Sequence, residues 1–332
     1  MADRERLLTD SSASVAASPP AGVQAAAAES GIAPLARNLL VSMRPKQWTK
    51  NALVFMALLF SLGQTWHLED VSTWLPLLGK TAATFALFCL VCGADYLVND
   101  VRDRESDLLH PKKRLRPIAA GTLSTRTAVG AAVVFTAIGL AGSFALETRV
   151  GLVVLGYVGM MLAYSYRLKH VVLLDLMIIA GGFVLRALAG AFVIDVPVSP
   201  WLYVVTALGA LFLAINKRRA ELVLLKDDAN QHRPILDEYT TDLLDQMASI
   251  VTASTLVAYG LYTFTAEALP KNHSMMLTIP FVLYGIFRYL YLVHVRGEGG
   301  SPEEVLLKDA PLMLDILLWI AVSGVLLAAA RE

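Results

Sequence analysis

Three things are scarce in this sequence: cysteine, charge and, over its first 36 residues, large apolar side chains. Only two cysteines occur in 332 residues, Cys89 and Cys92, so no disulfide framework is available. A C-x-x-C pair can hold a metal or cycle between thiol and disulfide, but this one lies in the apolar run FALFCLVCGA with no second pair. Both are expected to be small helix-packing residues. Charged residues make up 17% of the chain and hydrophobic ones 56%, against about 25% charged in a soluble domain. An ordinary soluble surface cannot be built from so little charge. The net charge is zero, which removes the electrostatic footprint of a nucleic-acid binder. The tail, residues 1–36, is rich in Ala, Ser and Pro and has neither the apolar core of a signal peptide nor a membrane span. With so little to bury, it is expected to be disordered, leaving residues 37–332 as one domain.

What the chain has in quantity is apolar stretches, at about 52–65, 74–98, 127–146, 150–166, 171–194, 200–216, 243–266, 275–295 and 311–330. Most approach the roughly 20 residues that cross a hydrocarbon core, where only helices and closed barrels satisfy their own backbone. The expectation is an all-α polytopic membrane protein with nine transmembrane helices, the first being the shortest. Basic residues divide unequally between the connections. One side collects Arg44, Lys46 and Lys50, the run from Arg102 to Arg116, Arg167, Lys169, Lys217 to Arg219, Lys226, Arg233, Arg296 and Lys308. The other holds Lys80, Arg149, Lys271 and Arg331. The positive-inside rule puts the richer side, with the long polar connections 99–126 and 217–242, in the cytoplasm.

Chemistry concentrates on that side. The second stretch ends in ADYLVNDVRDRESDLLHPKKRLRP, where Asp100, Asp103 and Asp107 are spaced i, i+3, i+7 and Asn99 stands four before Asp103. On a continued helix these oxygens gather along one face. Carboxylates so placed repel one another unless a cation binds, and hard oxygen ligands suit Mg2+ together with substrate phosphates. The plainer reading is an acidic helix end paired with Arg102 and Arg104. His110, Lys112, Lys113, Arg114 and Arg116 follow, flanked by Pro111 and Pro117, which argue for a loop. Acids beside a phosphate-gripping basic loop describe a metal-diphosphate site; a positive-inside anchor is the alternative.

Further groups surround this one. AYSYRLKHVVLLDL supplies Tyr164, Tyr166, Arg167, Lys169, His170 and Asp175. Arg186 follows eleven residues after Asp175, nearly a whole number of helical turns, so the two share a face. An ionisable residue inside a span usually faces a protein-lined cavity, although Arg186 could instead neutralise Asp95. In INKRRAELVLLKDD, Lys217 and Glu221 form a surface pair, or Lys217 and Arg218 bind phosphate. In RPKQWTKN, Trp48 and the lysines mark the membrane interface, or Lys46 and Asn51 meet a lipid phosphate.

Taken together, NDVRDRESD resembles the NDxxDxxxD signature of the UbiA-type superfamily of intramembrane prenyltransferases, and the similarity extends over residues 40–331. The resemblance implies nine transmembrane helices around a central cavity open to the cytoplasmic side. The chain departs from most members in lacking a second acid cluster; it has Tyr164, Lys169 and the single Asp175 there. With RPKQWTKN, HPKKRLRPIAAG, YSYRLKH, NKRRAEL and GSPEEVLLKD, it looks like the decaprenyl-phosphate phosphoribosyltransferase branch. That implies an Mg2+-dependent glycosyltransferase of the plasma (inner) membrane with its active site facing the cytoplasm. It would move 5-phosphoribosyl from phosphoribosyl diphosphate to a polyprenyl (decaprenyl) phosphate and release diphosphate, towards the decaprenylphosphoryl-arabinose of cell-wall arabinan. On this resemblance Asp100, Asp103 and Asp107 hold the metal. Lys112, Lys113, Arg114 and Arg116, with Lys217 and Arg218, bind the diphosphate and 5-phosphate. Lys46, Asn51 or Lys169 positions the lipid phosphate, and Asn99, Tyr164, Asp175 and Arg186 complete the site. Its partners are the two substrates and membrane lipids, with no nucleic acid, and a homo-oligomer is allowed. Three other readings compete. A prenyltransferase acting on an aromatic or other small acceptor would use the same metal site. A transporter could line a path with Asp95, Asp175, Arg186 and Asp315, but no inverted repeat accompanies them. A CDP-alcohol phosphotransferase expects glycine where Arg104 stands.

Overall fold

The computed structural model describes residues 32–109, 113–225, 234–266 and 269–329, and every regular element among them is helical. In chain order these are α1 (Ile32–Ser42), α2 (Met56–Phe60), α3 (Val71–Arg102), α4 (Arg104–Leu109), α5 (Thr125–Leu146), α6 (Thr148–Tyr166), α7 (Leu174–Val193), α8 (Pro200–Leu225), α9 (Thr241–Thr265), α10 (Ile279–His294), α11 (Pro302–Lys308) and α12 (Ala310–Ala329). Among the described residues seven segments are long and apolar enough to cross a membrane: α3, α5, α6, α7, α9, Ser274–His294 and α12. The 26-residue α8 carries the stretch 200–216 and continues past it to Leu225.

Side chains set where these helices begin. Asp70 accepts from the backbone of Ser72, Ser124 from Thr127 and Thr240 from Leu243, which caps α3, α5 and α9 respectively and satisfies amides that have no partner within the helix. Helical structure also starts earlier than the bound at residue 36. Helix α1 begins at Ile32, inside the stretch read as tail, because Leu39 packs against α3 and α5 and Asn38 donates to the Thr122 carbonyl at 3.1 Å. Residues 1–31 lie outside the described residues.

The stretch 52–65 is the clearest departure from nine regular spans. Residues Pro45–Phe55 form a 3-10 helix that runs into the five-residue α2. The chain then turns, and the Trp66 indole donates to the Leu58 carbonyl at 2.9 Å. The apolar part is too short to cross as an ordinary α-helix of roughly 20 residues. It is wedged against α7 instead: a Cβ added at Gly190 would lie 2.1 Å from the Val54 carbonyl oxygen. Only glycine lets the two backbones approach this closely.

Charge is segregated to one end of the bundle. There the C-terminal end of α3 meets that of α6, with Arg102 donating to the Tyr166 carbonyl at 3.0 Å. Arg219 on α8 and His294 on α10 both reach Asp245 on α9, and Arg288 pairs with Asp309 before α12. Among the described residues only the two salt bridges made by Arg149, to Glu147 and Asp195, belong to the opposite end.

Candidate active site

Helix α3 stops at Arg102, and Asp103 (φ −87°, ψ 8°) stands between it and α4. Helical hydrogen bonding still passes through the break, from Asp103 N–H to Asn99 O and from Asp107 N–H to Asp103 O. Asp100 and Asp107 end on a common side, where both accept from the same Arg116 Nη1, at 3.1 and 2.6 Å. Asp100 also accepts from Arg44, whose guanidinium lies 4.6 Å from the Tyr96 ring centroid. Asp103 turns elsewhere: one oxygen takes Lys169 Nζ at 2.9 Å and the other takes Asn99 Nδ2 at 3.1 Å. The single acidic face expected from spacing is therefore divided. At about 100° per residue, seven residues return to within about 20° of the start whereas three stop about 60° short, and the break at Asp103 keeps them apart.

This division bears on the metal. Among the described residues no group of three or more His, Cys, Asp or Glu side chains is placed to hold an ion. Two carboxylates converging on one cationic nitrogen do fit Mg2+, which commonly takes one or two carboxylates and completes its shell with phosphate and water. The described part of the basic stretch opens with the 3-10 turn Lys113–Leu115. Arg116 folds back on the acids, Arg114 is exposed and Lys113 is half-buried. Lys112, like His110 and Pro111, lies outside the described residues.

Deeper in the bundle, Asn51 and Arg186 are 1% and 6% exposed, so Asn51 belongs to the interior rather than to a lipid headgroup at the surface. Arg186 Nε donates to Asn51 Oδ1 at 2.6 Å, Nη1 to the Gly182 carbonyl at 2.6 Å, and Nη2 to Tyr157 OH and Cys92 Sγ. Asn51 Nδ2 donates to Cys89 Sγ. Both cysteines are buried thiols that pack and also hydrogen-bond. Every direct partner of Arg186 is formally neutral, so it does not form the salt bridge with Asp95 that the sequence allowed. Nor does Arg186 join Asp175, which is eleven residues and about 16 Å of helix rise away. Asp175 is fully buried and accepts from Arg218 Nη2 and Tyr239 OH, each at 2.7 Å. Arg218 Nη1 reaches Glu221 at 2.7 Å, and Tyr239 OH accepts from the Leu173 amide. Leu173 sits at φ 67°, a strained position for a branched residue. Asp175 and Arg218 thus fasten α7, α8 and the Pro234–Glu238 turn together, with the half-buried Tyr164 close enough to act on the Arg218 charge.

A third group was not read from the sequence. Glu303 on α11 is 4% exposed, accepts from Gln47 and pairs with Lys50 Nζ at 3.6 Å; Lys50 also donates to Gln47. In a 3-10 helix residues i and i+3 eclipse, so Gln47 and Lys50 face Glu303 together. Lys46 lies outside, 75% exposed and 3.7 Å from Glu304. Lys217 is half-buried and makes no salt bridge among the described residues, while its charge acts on both Lys50 and Glu303. Burial pushes the Lys50 ammonium down to about 8; Glu303 opposes the fall, and the charges of Lys217 and Arg186 add to it. Burial raises the Glu303 carboxyl, but Lys50, a hydrogen bond from its own backbone amide, Lys217 and Gln47 together more than offset this and hold it below its usual range. Two cations, Lys50 and Lys217, thus act around one carboxylate, and the surplus favours an anion. The available signals were Lys50 beside Asn51 and the acids of GSPEEV, but nothing local links Gln47 to Glu303, 256 residues apart.

Comparison with known proteins places this geometry in a lineage. The model of the UbiA prenyltransferase family matches residues 52–302, more than half of the chain. A decaprenyl-phosphate phosphoribosyltransferase of Mycobacterium tuberculosis (strain ATCC 25618 / H37Rv) is 36% identical over 294 residues, covering 89% of this chain and 95% of the relative. Its namesake in Corynebacterium glutamicum is 36% identical over 293 residues, covering 86% and 85%. Among solved structures, a UbiA homolog from Archaeoglobus fulgidus bound to GPP and Mg2+ superposes with a TM-score of 0.66 at 20% identity, covering 88% of this chain and 99% of that one.

Proposed function

The chain belongs to the UbiA prenyltransferase family, and we propose that within it the protein transfers 5-phosphoribosyl from phosphoribosyl diphosphate to a polyprenyl phosphate such as decaprenyl phosphate, releasing diphosphate. The relatives that share 36% of its residues over most of its length carry that name. The observation that carries the reading is the presence of two separate cationic stations. Arg44, Arg116 and Lys169 attend the acids, while Lys50 and Lys217 flank Glu303. A donor with a diphosphate at one end of a ribose and a phosphate at the other needs two such stations; a prenyl diphosphate needs one. The only acid in the second motif, Asp175, is already committed to Arg218 and Tyr239.

In this reading eight long helices and the shorter first element form nine membrane-embedded helices around a cavity open to the cytoplasmic side of the inner membrane. The product would feed the route to cell-wall arabinan. Asp100 and Asp107 would hold Mg2+, with Asp103 beside them; when bound, the ion supplies charge stabilisation for the departing diphosphate. Arg116 and Arg44 then turn from Asp100 to the diphosphate oxygens, where guanidinium binds phosphate in bidentate fashion. Lys50 and Lys217 hold the 5-phosphate, and Lys169 directs the lipid phosphate to the anomeric carbon opposite the leaving group. The acceptor oxygen is ionised at neutral pH, so positioning and electrostatics carry the reaction without a strong base. The deciding experiment gives purified protein ribose-labelled phosphoribosyl diphosphate and decaprenyl phosphate, with and without Mg2+. Label is expected in the lipid phase only with Mg2+. Label that stays aqueous, while a labelled prenyl diphosphate prenylates a small acceptor, overturns the reading.

The role given to Lys50 has a pH signature. Its charge is present below about 8 and lost above, so kcat/KM, which reports the free enzyme, is expected to fall on the alkaline side of that value. Lys50→Arg should remove the limb, because guanidinium stays protonated. Stability moves the other way. A lysine whose folded pKa lies below the usual 10.5 costs stability while charged, so this group alone adds stability as pH rises from about 8 to 10.5. Initial rates and thermal melts across pH 6.5–10 (roughly the window set by those values) would separate the two trends.

A further inference from the structure

Asp95 has no role in the chemistry described so far, yet it is a carboxylate within the bundle that feels two arginines and pairs with neither. It lies on α3 four residues before Asn99 and eight before Asp103, and residues four apart are neighbours on a helix surface. It therefore extends inward the stripe that ends at Asp103 and Lys169. Its Oδ1 is buried without a hydrogen-bond partner, and no salt bridge reaches the carboxylate among the described residues. The charges that act on it are Arg186 and Arg44. Neither is bonded to it: Arg186 is engaged with Asn51, Gly182, Tyr157 and Cys92, and Arg44 with Asp100. Buried carboxylate oxygens without donors are costly, so the arrangement calls for donors brought from outside.

We propose that Asp95 recognises the ring hydroxyls of the sugar donor and so sets the enzyme's preference for a ribosyl group. The inference rests on the phosphoribosyl-transfer reading above. An ionised carboxylate is acceptor-only, and the vicinal hydroxyls of ribose are the one donor-rich part of either substrate. The diphosphate, the 5-phosphate and the lipid phosphate are anions that Asp95 would repel, and a polyprenyl chain has no hydroxyl to offer. Asp95 sits about 7.5 Å of helix rise inward from Asp100 and about 140° round the helix from it, on the Asn99 side, and the Arg44 charge acts on both carboxylates; a sugar reaching inward past Arg44 from a diphosphate held at Asp100 and Arg116 would bring its ring to Asp95. A prenyl donor in the same place would leave the carboxylate without a partner, which makes Asp95 a device for discrimination as well as for binding.

The test compares kcat/KM for phosphoribosyl diphosphate and for its 2-deoxy and 3-deoxy analogues in the wild type, Asp95→Ala and Asp95→Asn. The wild type is expected to favour the parent donor over at least one analogue by about 10- to 100-fold, the usual effect of one hydrogen bond to a charged group. In Asp95→Ala that ratio should collapse to about threefold or less, with turnover of the deoxy donor and the Mg2+ requirement little changed. Asp95→Asn, of the same shape, gives the same reading should the alanine variant fail to fold, and is expected to keep an intermediate ratio. A wild-type ratio retained in either variant overturns the proposal, as does a wild type that does not discriminate. No transfer of label from the parent donor overturns the reaction itself and this inference with it.

Discussion

Asp100→Asn and Asp107→Asn are each expected to lower kcat/KM for phosphoribosyl transfer by about 10²- to 10³-fold, the range for removing one preorganised electrostatic contact to a transition state. Both carboxylates meet on Arg116 Nη1, which marks the point at which their oxygens converge. An asparagine keeps the shape and one acceptor oxygen but removes the charge on which a hard divalent ion depends. The loss should therefore show a Mg2+ signature, with the half-saturating Mg2+ concentration rising in both variants. Asp103→Asn is also expected to be severely impaired. Because Asp103 is joined to Lys169 at 2.9 Å, its defect should include a raised KM for the lipid phosphate, shared with Lys169→Ala. Folding should be little affected, since Arg44 retains its contact with the Tyr96 ring. Near-normal turnover by a well-folded Asp100→Asn, Asp103→Asn or Asp107→Asn would remove that residue from the metal site. The conservative Asp195→Asn, in an exposed surface pair at the opposite end, should behave as wild type.

The juxtapositions of the candidate site that were legible in the sequence are those whose parts are local. The NDxxDxxxD motif spans nine consecutive residues, Asn99 to Asp107, and its neighbours Arg116 and Lys169 sit on connections whose basic residues mark the same side. The apolar runs were legible for the same reason, since a hydrocarbon core demands long uninterrupted helices. The arrangement departs from the sequence reading where the backbone leaves the regular α-helix. Treating 99–107 as one helix put Asp103 with Asp100 and Asp107, but the break at Asp103 sends it to Lys169. Reading RPKQWTKN without a 3-10 twist pointed to Lys46 and Asn51 and not to Lys50, which lies between them and faces Glu303. The partners Glu303 and Gln47 could not be paired from sequence, because they meet only once α11 packs beside the 3-10 helix Pro45–Phe55. Asp175 was illegible in another way: a lone acid at the start of a span looks functional, and nothing local shows that Arg218 and Tyr239 bond to it.

The last point leads to the second large effect, on stability rather than turnover. Arg218→Leu is expected to destabilise the protein by about 3–5 kcal/mol, the usual cost of removing one member of a buried ion pair. It strands Asp175, fully buried, with Tyr239 OH as its remaining donor. Asp175→Asn should cost only about 1–2 kcal/mol, because Arg218 keeps Glu221, which is partly open to solvent, and the amide oxygen can still accept from Tyr239. Replacing both charges with apolar residues should recover most of the loss in Arg218→Leu, since a well-packed apolar pair often matches a buried salt bridge. The same variants separate structure from catalysis. If Asp175 only fastens α7 to α8, then Asp175→Asn, assayed well below its melting temperature, turns over at close to the wild-type rate. A fall of about 10²-fold or more in kcat with an unchanged melting temperature would instead return Asp175 to the reacting groups. Thermal unfolding in detergent, read beside labelled-donor turnover on the same samples, distinguishes the outcomes. The strained backbone at Leu173 adds a local marker: its amide is held by Tyr239, which is held in turn by Asp175. Hydrogen exchange at the start of α7 should therefore speed up in Arg218→Leu before the rest of the bundle opens.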